Sequence, residues 1–347
     1  MNKVIVNGKF LTQKTTGVQR YARELLYELD NYILDEEIIL AVPTNTIDIP
    51  TYKNIKVVKV GKGKGIYWEQ VEFPLYVKKM HGISLNLCNV APLLSPGIVC
   101  IFDMKIKMFP NFFNWKFRTW YNMLFFNQTA RAKAIITDSK AAKSDILKYY
   151  PNINDDRIQV ISPAWQHFAR IAYDENTLEK YSLEKKRYLF ALGSMEPNKN
   201  FKWIADVAKK NPNETFAIAG SINKKVFEEG IGFDCPENMV LLGYVSDSEA
   251  KTLMRDSKAF LFPSFCEGFG IPPLEAMSAN CPYLIVSDIP VMHEVFEDSV
   301  IYIDPNIVEL DFNMLMSNSE IKSNEILKKY SWKISAKKLL EMLQAYC

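Results

Sequence analysis

The stretch Phe262-Pro-Ser-Phe-Cys-Glu-Gly-Phe-Gly-Ile-Pro-Pro-Leu-Glu-Ala-Met277 decides how the rest of the chain is read. The apolar run 259–262 has the length and content of a buried strand, and it stops at Pro263. Pro272 and Pro273 then open a helix, because proline is tolerated in a first turn whose N–H groups have no intrahelical partner. Between strand and helix, Gly268 and Gly270 let the backbone approach a ligand closely. The helix N-terminus adds free N–H donors and the positive end of a dipole, a cradle suited to phosphate. Glu267 precedes the turn, and Glu275 is expected in the first helical turn. Two carboxylates would repel a bare phosphate, so they point to hydroxyl groups beside it. A phosphate next to a polyol describes a nucleotide sugar. Plainer readings compete. The glycines suit an ordinary strand-to-helix turn, and Glu275 then only complements the helix dipole, worth about 0.3–1 kcal/mol. Gly268-Phe-Gly270 also begins a dinucleotide fingerprint with Asp288 near the distance of a ribose acid, but Pro273 stands at the third glycine position.

At 347 residues the chain is long for one core and suggests two domains. A hydrophobic content of 48% with 24% charged residues is that of a soluble globular protein, and a net charge of +2 gives no global reason to expect nucleic acid. Six cysteines without paired metal-ligand spacing read as free thiols in a reducing compartment. There is no basic segment leading into an apolar core at the start, and no apolar run long enough to span a bilayer. The expectation is a cytoplasmic protein.

Upstream, strands are expected at 4–6, 38–42, 54–60, 83–87, 98–102, 134–137 and 158–161, with helices at 21–29, 67–80 and 139–149. Residues 7–16 read as a polar loop, and Gly17 ends it as a further point of backbone approach. Gly61-Lys-Gly-Lys-Gly65 lacks P-loop spacing and reads as a surface loop. Asp103 falls just beyond a strand end, where α/β sheets place their sites. Residues 105–133 carry six basic side chains and no acid, interleaved with many aromatic rings. That mixture suits a lipid interface. It equally suits a core helix with a solvated basic side, and stacking on single-stranded nucleic acid is a weaker third reading. Segment 169–186 is charged and lacks an apolar period, so the interdomain linker is expected there. The pattern then restarts, with strands at 188–192, 215–219, 240–242, 283–286 and 300–303 and helices at 201–210 and 331–346; a capping box at Ser246-Asp-Ser-Glu249 opens another helix. The expected class is α/β, with two doubly wound Rossmann-like domains, 1–168 and 187–330, facing across a cleft, and a C-terminal helix 331–347 packing back on the first.

With these residues assembled, the chain resembles the retaining glycosyltransferases of family GT4, which have the GT-B fold. The resemblance runs from Thr16-Gly-Val-Gln-Arg-Tyr-Ala-Arg-Glu-Leu25 to Tyr330-Ser-Trp332. Its most specific element is the pair of glutamates eight apart, Glu267 and Glu275, matching the family's E-x7-E motif. Glu196-Pro-Asn-Lys-Asn200 is similar to the family's Glu-Pro-Arg-Lys-Asn, and Leu242-Gly-Tyr-Val245 and Ser287-Asp-Ile-Pro290 also fit. The resemblance implies that Lys199 neutralises a nucleotide diphosphate and that the amides of Phe269, Gly270 and Ile271 hold the distal phosphate and sugar. It further implies that Glu267 meets sugar hydroxyls and Glu275 ribose hydroxyls, that Gly243, Tyr244 and Val245 line the base pocket, and that Gly17 meets the diphosphate. The resemblance implies a glycan hydroxyl as acceptor, carried on a lipid, as in bacterial O-antigen or capsule assembly. Neither a cofactor nor a metal is expected, since no Asp-x-Asp signature occurs.

Two departures stand out. Phe102-Asp103 replaces the His-Asp common in the family, and Asn198 stands where Arg is common, leaving Lys199, backbone and dipole to grip the diphosphate with Arg20, Arg23 or Lys9 as helpers. These departures motivate a second reading, a non-catalytic nucleotide-sugar-binding assembly subunit. A nicotinamide-dependent dehydrogenase is a distant third. His167, at the end of the first domain, is placed to reach the cleft, although packing is the stronger reading, and His293 is similarly ambiguous.

Overall fold

This computed structural model describes residues 3–33, 37–220, 235–317 and 323–346. The chain divides into two compact units, Met1–Pro163 with Ser331–Cys347, and Ala164–Tyr330.

The first unit is built on a seven-stranded parallel sheet of β1 (Val4–Asn7), β2 (Ile38–Pro43), β3 (Lys56–Val60), β4 (Ile83–Asn86), β5 (Ile98–Cys100), β6 (Ala134–Thr137) and β7 (Ile158–Val160). Its strand order is β3-β2-β1-β4-β5-β6-β7. The central strands are buried along their whole length and mostly apolar, as expected of strands covered on both faces. The helix Trp332–Tyr346 packs on the helix Gly17–Leu29: the Trp332 ring meets Tyr21 edge-on at 5.9 Å, and Ser335 Oγ donates to Ser162 O.

The second unit holds a six-stranded parallel sheet of β8 (Tyr188–Leu192), β9 (Thr215–Ala219), β10 (Met239–Gly243), β11 (Ala259–Phe262), β12 (Leu284–Ser287) and β13 (Ile301–Ile303). The order is β10-β9-β8-β11-β12-β13. The helix Phe201–Lys210 buries Phe201, Trp203, Ile204 and Val207 against this sheet, and the capping box at Ser246 opens the helix Asp247–Asp256.

Three local expectations are corrected. Residues 7–16 are not simply a polar loop, because Gly8–Thr12 forms a 3-10 turn that buries Phe10 and Leu11. The helix expected over 67–80 is interrupted by a π-helical segment, Trp68–Glu72. Pro74 explains the widening, since it cannot supply the N–H that would continue an α-helical ladder through Gln70. Segment 169–186, expected as a linker, lies within the second unit. Lys251 Nζ donates to the carbonyls of Ala169 (3.3 Å) and Ile171 (2.6 Å), the Asp174 N–H to Thr252 Oγ1 (3.0 Å), and Arg255 forks onto Glu175 at 2.9 and 3.0 Å. Its backbone and the Glu175 carboxylate are thus met by the helix Asp247–Asp256 rather than by water alone. That pairing leaves no apolar period to read.

The aromatic run also divides. Phe125 is buried in the helix Trp115–Arg131, with Tyr121 and Phe113 packed against the same core, whereas Trp115 (66%) and Phe126 (65%) are exposed. Among the described residues no helix is long and apolar enough to cross a membrane. Gly61-Lys-Gly-Lys-Gly65 is fixed by a carboxylate, Glu72 accepting from the N–H groups of Lys62 (3.0 Å) and Gly63 (2.9 Å).

Candidate active site

β11 delivers the chain to Pro263, and the helix Ile271–Ser278 leaves from Gly270. Gly270 is left-handed, with φ +100° and ψ 54°, and a Cβ there would lie 2.8 Å from Met292 Cε. Only glycine fits both the dihedral and the space. The N–H groups of Phe269, Gly270 and Ile271 donate to no other group among the described residues, as expected before a helix has closed its first turn. A left-handed residue next to right-handed ones turns such amides toward one point and makes an anion-binding concavity.

A second loop is tied to this one. Pro197–Lys199 forms a 3-10 turn after β8, and the Phe265 N–H donates to the Asn198 carbonyl at 2.8 Å. Asn200, left-handed at φ 55°, closes the turn and anchors it by donating through Nδ2 to Pro305 O at 2.9 Å. Lys199 Nζ reaches Glu267 Oε1 at 2.6 Å and lies 5.2 Å from the centre of the Phe262 ring. The two charged side chains are only 20% and 12% exposed. The two loops thus bring one ammonium and one carboxylate together beside the turn that bears the unengaged amides. Lys199 also lines a small cavity with Ser264, whose buried hydroxyl has no hydrogen-bond partner among the described residues. Asn198 is 2% exposed, and its Oδ1 likewise has none.

Glu275 is the fifth residue of its helix, so the first-turn placement is corrected, and dipole complementation does not explain it. It is 7% exposed, and its Oε1 lies 2.7 Å from His167 Nε2. His167 therefore belongs to the second unit and touches a candidate site residue, where the sequence suggested packing at the end of the first domain. Nothing local marks this contact, because the two residues are 108 positions apart.

Gly243, at the end of β10, is left-handed at φ +71° with open space beyond its Cα, and it leads into exposed Tyr244 and buried Val245. Gly220 ends β9 and was not singled out from the sequence. A Cβ on it would lie 1.8 Å from Gly193 O, so the backbones after β8 and β9 touch directly there. Gly268 sits in the loop beside Glu267, within the same unit. His293 is half-exposed, its Nε2 2.6 Å from Asp288 Oδ1 and its ring stacked on Tyr302 at 3.9 Å.

Gly17 and Asp103 belong to the first unit. Gly17 is the exposed first residue of its helix, while Asp103 Oδ1 accepts the Lys105 N–H at 3.1 Å. Phe102 is a core residue, edge-on to Tyr21 at 4.9 Å. Lys9, considered above as a helper for the diphosphate, is committed instead to buried Glu69 at 2.6 Å.

Residues 174–331, which include both loops, match the profile of the family glycosyl transferases group 1. The O-antigen chain mannosyltransferase RfbU of Salmonella typhimurium is 26% identical over 321 residues, which span 87% of this chain and 87% of the relative. The O-antigen chain mannosyltransferase B of Escherichia coli is 30% identical over 238 residues, 60% of this chain and 61% of that protein. Among solved structures, Anabaena HepE in complex with UDP and glucose superposes with a TM-score of 0.67 at 13% identity, covering 99% of this chain and 100% of its own. The stretch that carries the candidate site is therefore a glycosyl transferases group 1 domain, and the chain is a glycosyltransferase of GT-B fold.

Proposed function

We propose that this glycosyltransferase moves a mannosyl or related hexosyl group from a nucleotide-diphosphate sugar to a hydroxyl of a glycan acceptor, with retention at the anomeric carbon. The observation that carries the reading is the 2.6 Å Lys199–Glu267 pair beside the unengaged amides of 269–271. Diphosphate would draw Lys199 away from Glu267, and the released carboxylate would then accept sugar hydroxyls. As the glycosidic bond breaks, Lys199 and the helix N-terminus stabilise the charge growing on the leaving group. Attack comes from the face of departure, with a phosphate oxygen taking the acceptor proton. Glu275, oriented by His167, serves the ribose hydroxyls, and Gly243, Tyr244 and Val245 the base. Charge neutralisation rests on protein groups, so the reaction requires neither metal nor cofactor.

The test is nucleotide release from a panel of UDP-, GDP- and dTDP-hexoses, with and without a chelator. Release confined to one base and insensitive to chelator is expected. Binding without release from any donor would favour the assembly-subunit reading, which the apolar core position of Phe102 and the buried Asn198 motivate. Absence of binding to all donors would sink both readings.

Both relatives are named as O-antigen chain mannosyltransferases, which supports surface polysaccharide assembly as the setting; we further propose a lipid-linked acceptor at the inner face of the plasma membrane. Trp115 and Phe126 lie three turns apart on one helix, hence nearly on one line, and both are exposed, with basic Lys116 and Arg118 in the first turn beside Trp115. Co-sedimentation with anionic vesicles is expected to fall several-fold for Trp115→Ala combined with Phe126→Ala. Equal retention of the variant, or of wild type on neutral vesicles, would remove the membrane from the proposal.

A further inference from the structure

The second unit begins at Ala164, and the chain there at once forms a short helix, Gln166–Ala169. Side-chain bonds to carbonyls fasten this entry segment within the same unit. Trp165 Nε1 donates to Leu327 O and Gln166 Nε2 to Tyr330 O, both at 2.9 Å, and Lys251 Nζ donates to Ala169 O at 3.3 Å. One further tie is different in kind, because it joins two side chains. His167 Nε2 lies 2.7 Å from Glu275 Oε1, with the side chains 2% and 9% exposed. Another clamp adds little to a segment already held at both ends. The bond is better explained by what it does to Glu275.

An ionised carboxylate only accepts hydrogen bonds, so the ring nitrogen that faces it carries the hydrogen. The imidazole offers a single N–H in that direction and claims one of about four lone-pair sites on the carboxylate. A guanidinium in the same place would fork onto both oxygens and leave little for a ligand. His167 therefore fixes the plane of the Glu275 carboxylate while acceptor capacity remains for hydroxyl groups. A ribose presents two adjacent hydroxyls. A carboxylate free to turn would meet either of them alone, whereas one held still is matched only by the intact pair. A ligand lacking one hydroxyl leaves a buried acceptor unpaired, and sites of that kind reject the analogue far more strongly than an apolar pocket does.

We propose that His167 is a positioning residue that holds the Glu275 carboxylate against both ribose hydroxyls of the donor nucleotide, and that it thereby confines the enzyme to sugars of ribonucleoside diphosphates. The inference rests on the assignment of Glu275 to the ribose in the transferase reading above. The full chain is titrated calorimetrically with UDP and GDP, and with dUDP and dGDP, which lack one of the two hydroxyls. For the base that binds, wild type is expected to favour the ribonucleotide by about tenfold or more, the scale of one hydrogen bond to a charged group. His167→Ala is expected to bring ribonucleotide affinity down to near that of the deoxy form, whose own affinity changes little. His167→Gln, which returns an N–H donor at nearly the same reach, is expected to restore most of the preference. A histidine that merely packs would weaken both nucleotides alike and leave their ratio unchanged. Should His167→Ala not fold, His167→Phe keeps a ring in the space without the donor and is expected to lose the preference in the same way. An unchanged ratio in the folded variants, no ribonucleotide preference in wild type, or no binding of UDP or GDP by wild type would overturn the inference. Failure of the transferase reading would show separately, as no nucleotide release by wild type from any hexose donor.

Discussion

Lys199→Ala is expected to slow donor-dependent nucleotide release by about 10²–10³-fold, the cost of removing one preorganised group that stabilises transition-state charge, about 2.7–4 kcal/mol. Two effects add in this variant. The ammonium that would meet the diphosphate is gone, and Glu267, 12% exposed, keeps its negative charge in the place where the diphosphate must settle. Lys199→Ala combined with Glu267→Gln is therefore expected to bind nucleoside diphosphate better than Lys199→Ala alone, while recovering little turnover. Stability should respond less than activity. An exposed pair is worth about 0–1 kcal/mol and a broken buried one costs about 3–5 kcal/mol; this pair, partly hydrated, falls between. Measuring release and urea unfolding on the same preparations separates the two. Near wild-type release in Lys199→Ala would remove the residue from the mechanism.

The features that were legible in the sequence are those carried by short-range patterns. Apolar runs such as 188–192 and 259–262 became strands because nothing but a sheet core accepts them. Gly270 was legible because a glycine ahead of two prolines marks a strand-to-helix turn, and the spacing of Glu267 and Glu275 pointed to one site. Polar partnerships across long separations left no such trace. His167 meets Glu275 from 108 positions away, and Lys9 meets Glu69 from 60. Both contacts join elements far apart in the chain, a short helix to a longer one and a 3-10 turn to a π-helical segment, which no local period encodes. The 169–186 segment misled for a related reason: its carbonyls are met by Lys251 and its Glu175 by Arg255, both on a distant helix. In the 105–133 stretch, composition could not say which rings turn inward, since the helix is apolar on several sides.

Gly270→Ala is expected to disable the site through the backbone rather than through any lost side chain. At φ +100° an L-residue is strained by about 1–3 kcal/mol. The new Cβ would also press on Met292 Cε at 2.8 Å, and Met292 is fully buried, so it must move within packed surroundings. Gly243 supplies the control. It is left-handed as well, at φ +71°, but nothing lies within 4 Å of its Cβ position, so Gly243→Ala reports the dihedral strain alone. Gly270→Ala should therefore lower the urea midpoint more than Gly243→Ala, by the share of the Met292 contact that methionine's flexibility cannot absorb. Nucleotide affinity should fall further than stability suggests, because relief of the strain rotates the amides of Phe269, Gly270 and Ile271 away from their common point. If Gly270→Ala proves destabilised yet titrates with UDP or GDP as tightly as wild type, those amides do not hold the phosphate, and the cradle must be sought in another part of the second unit.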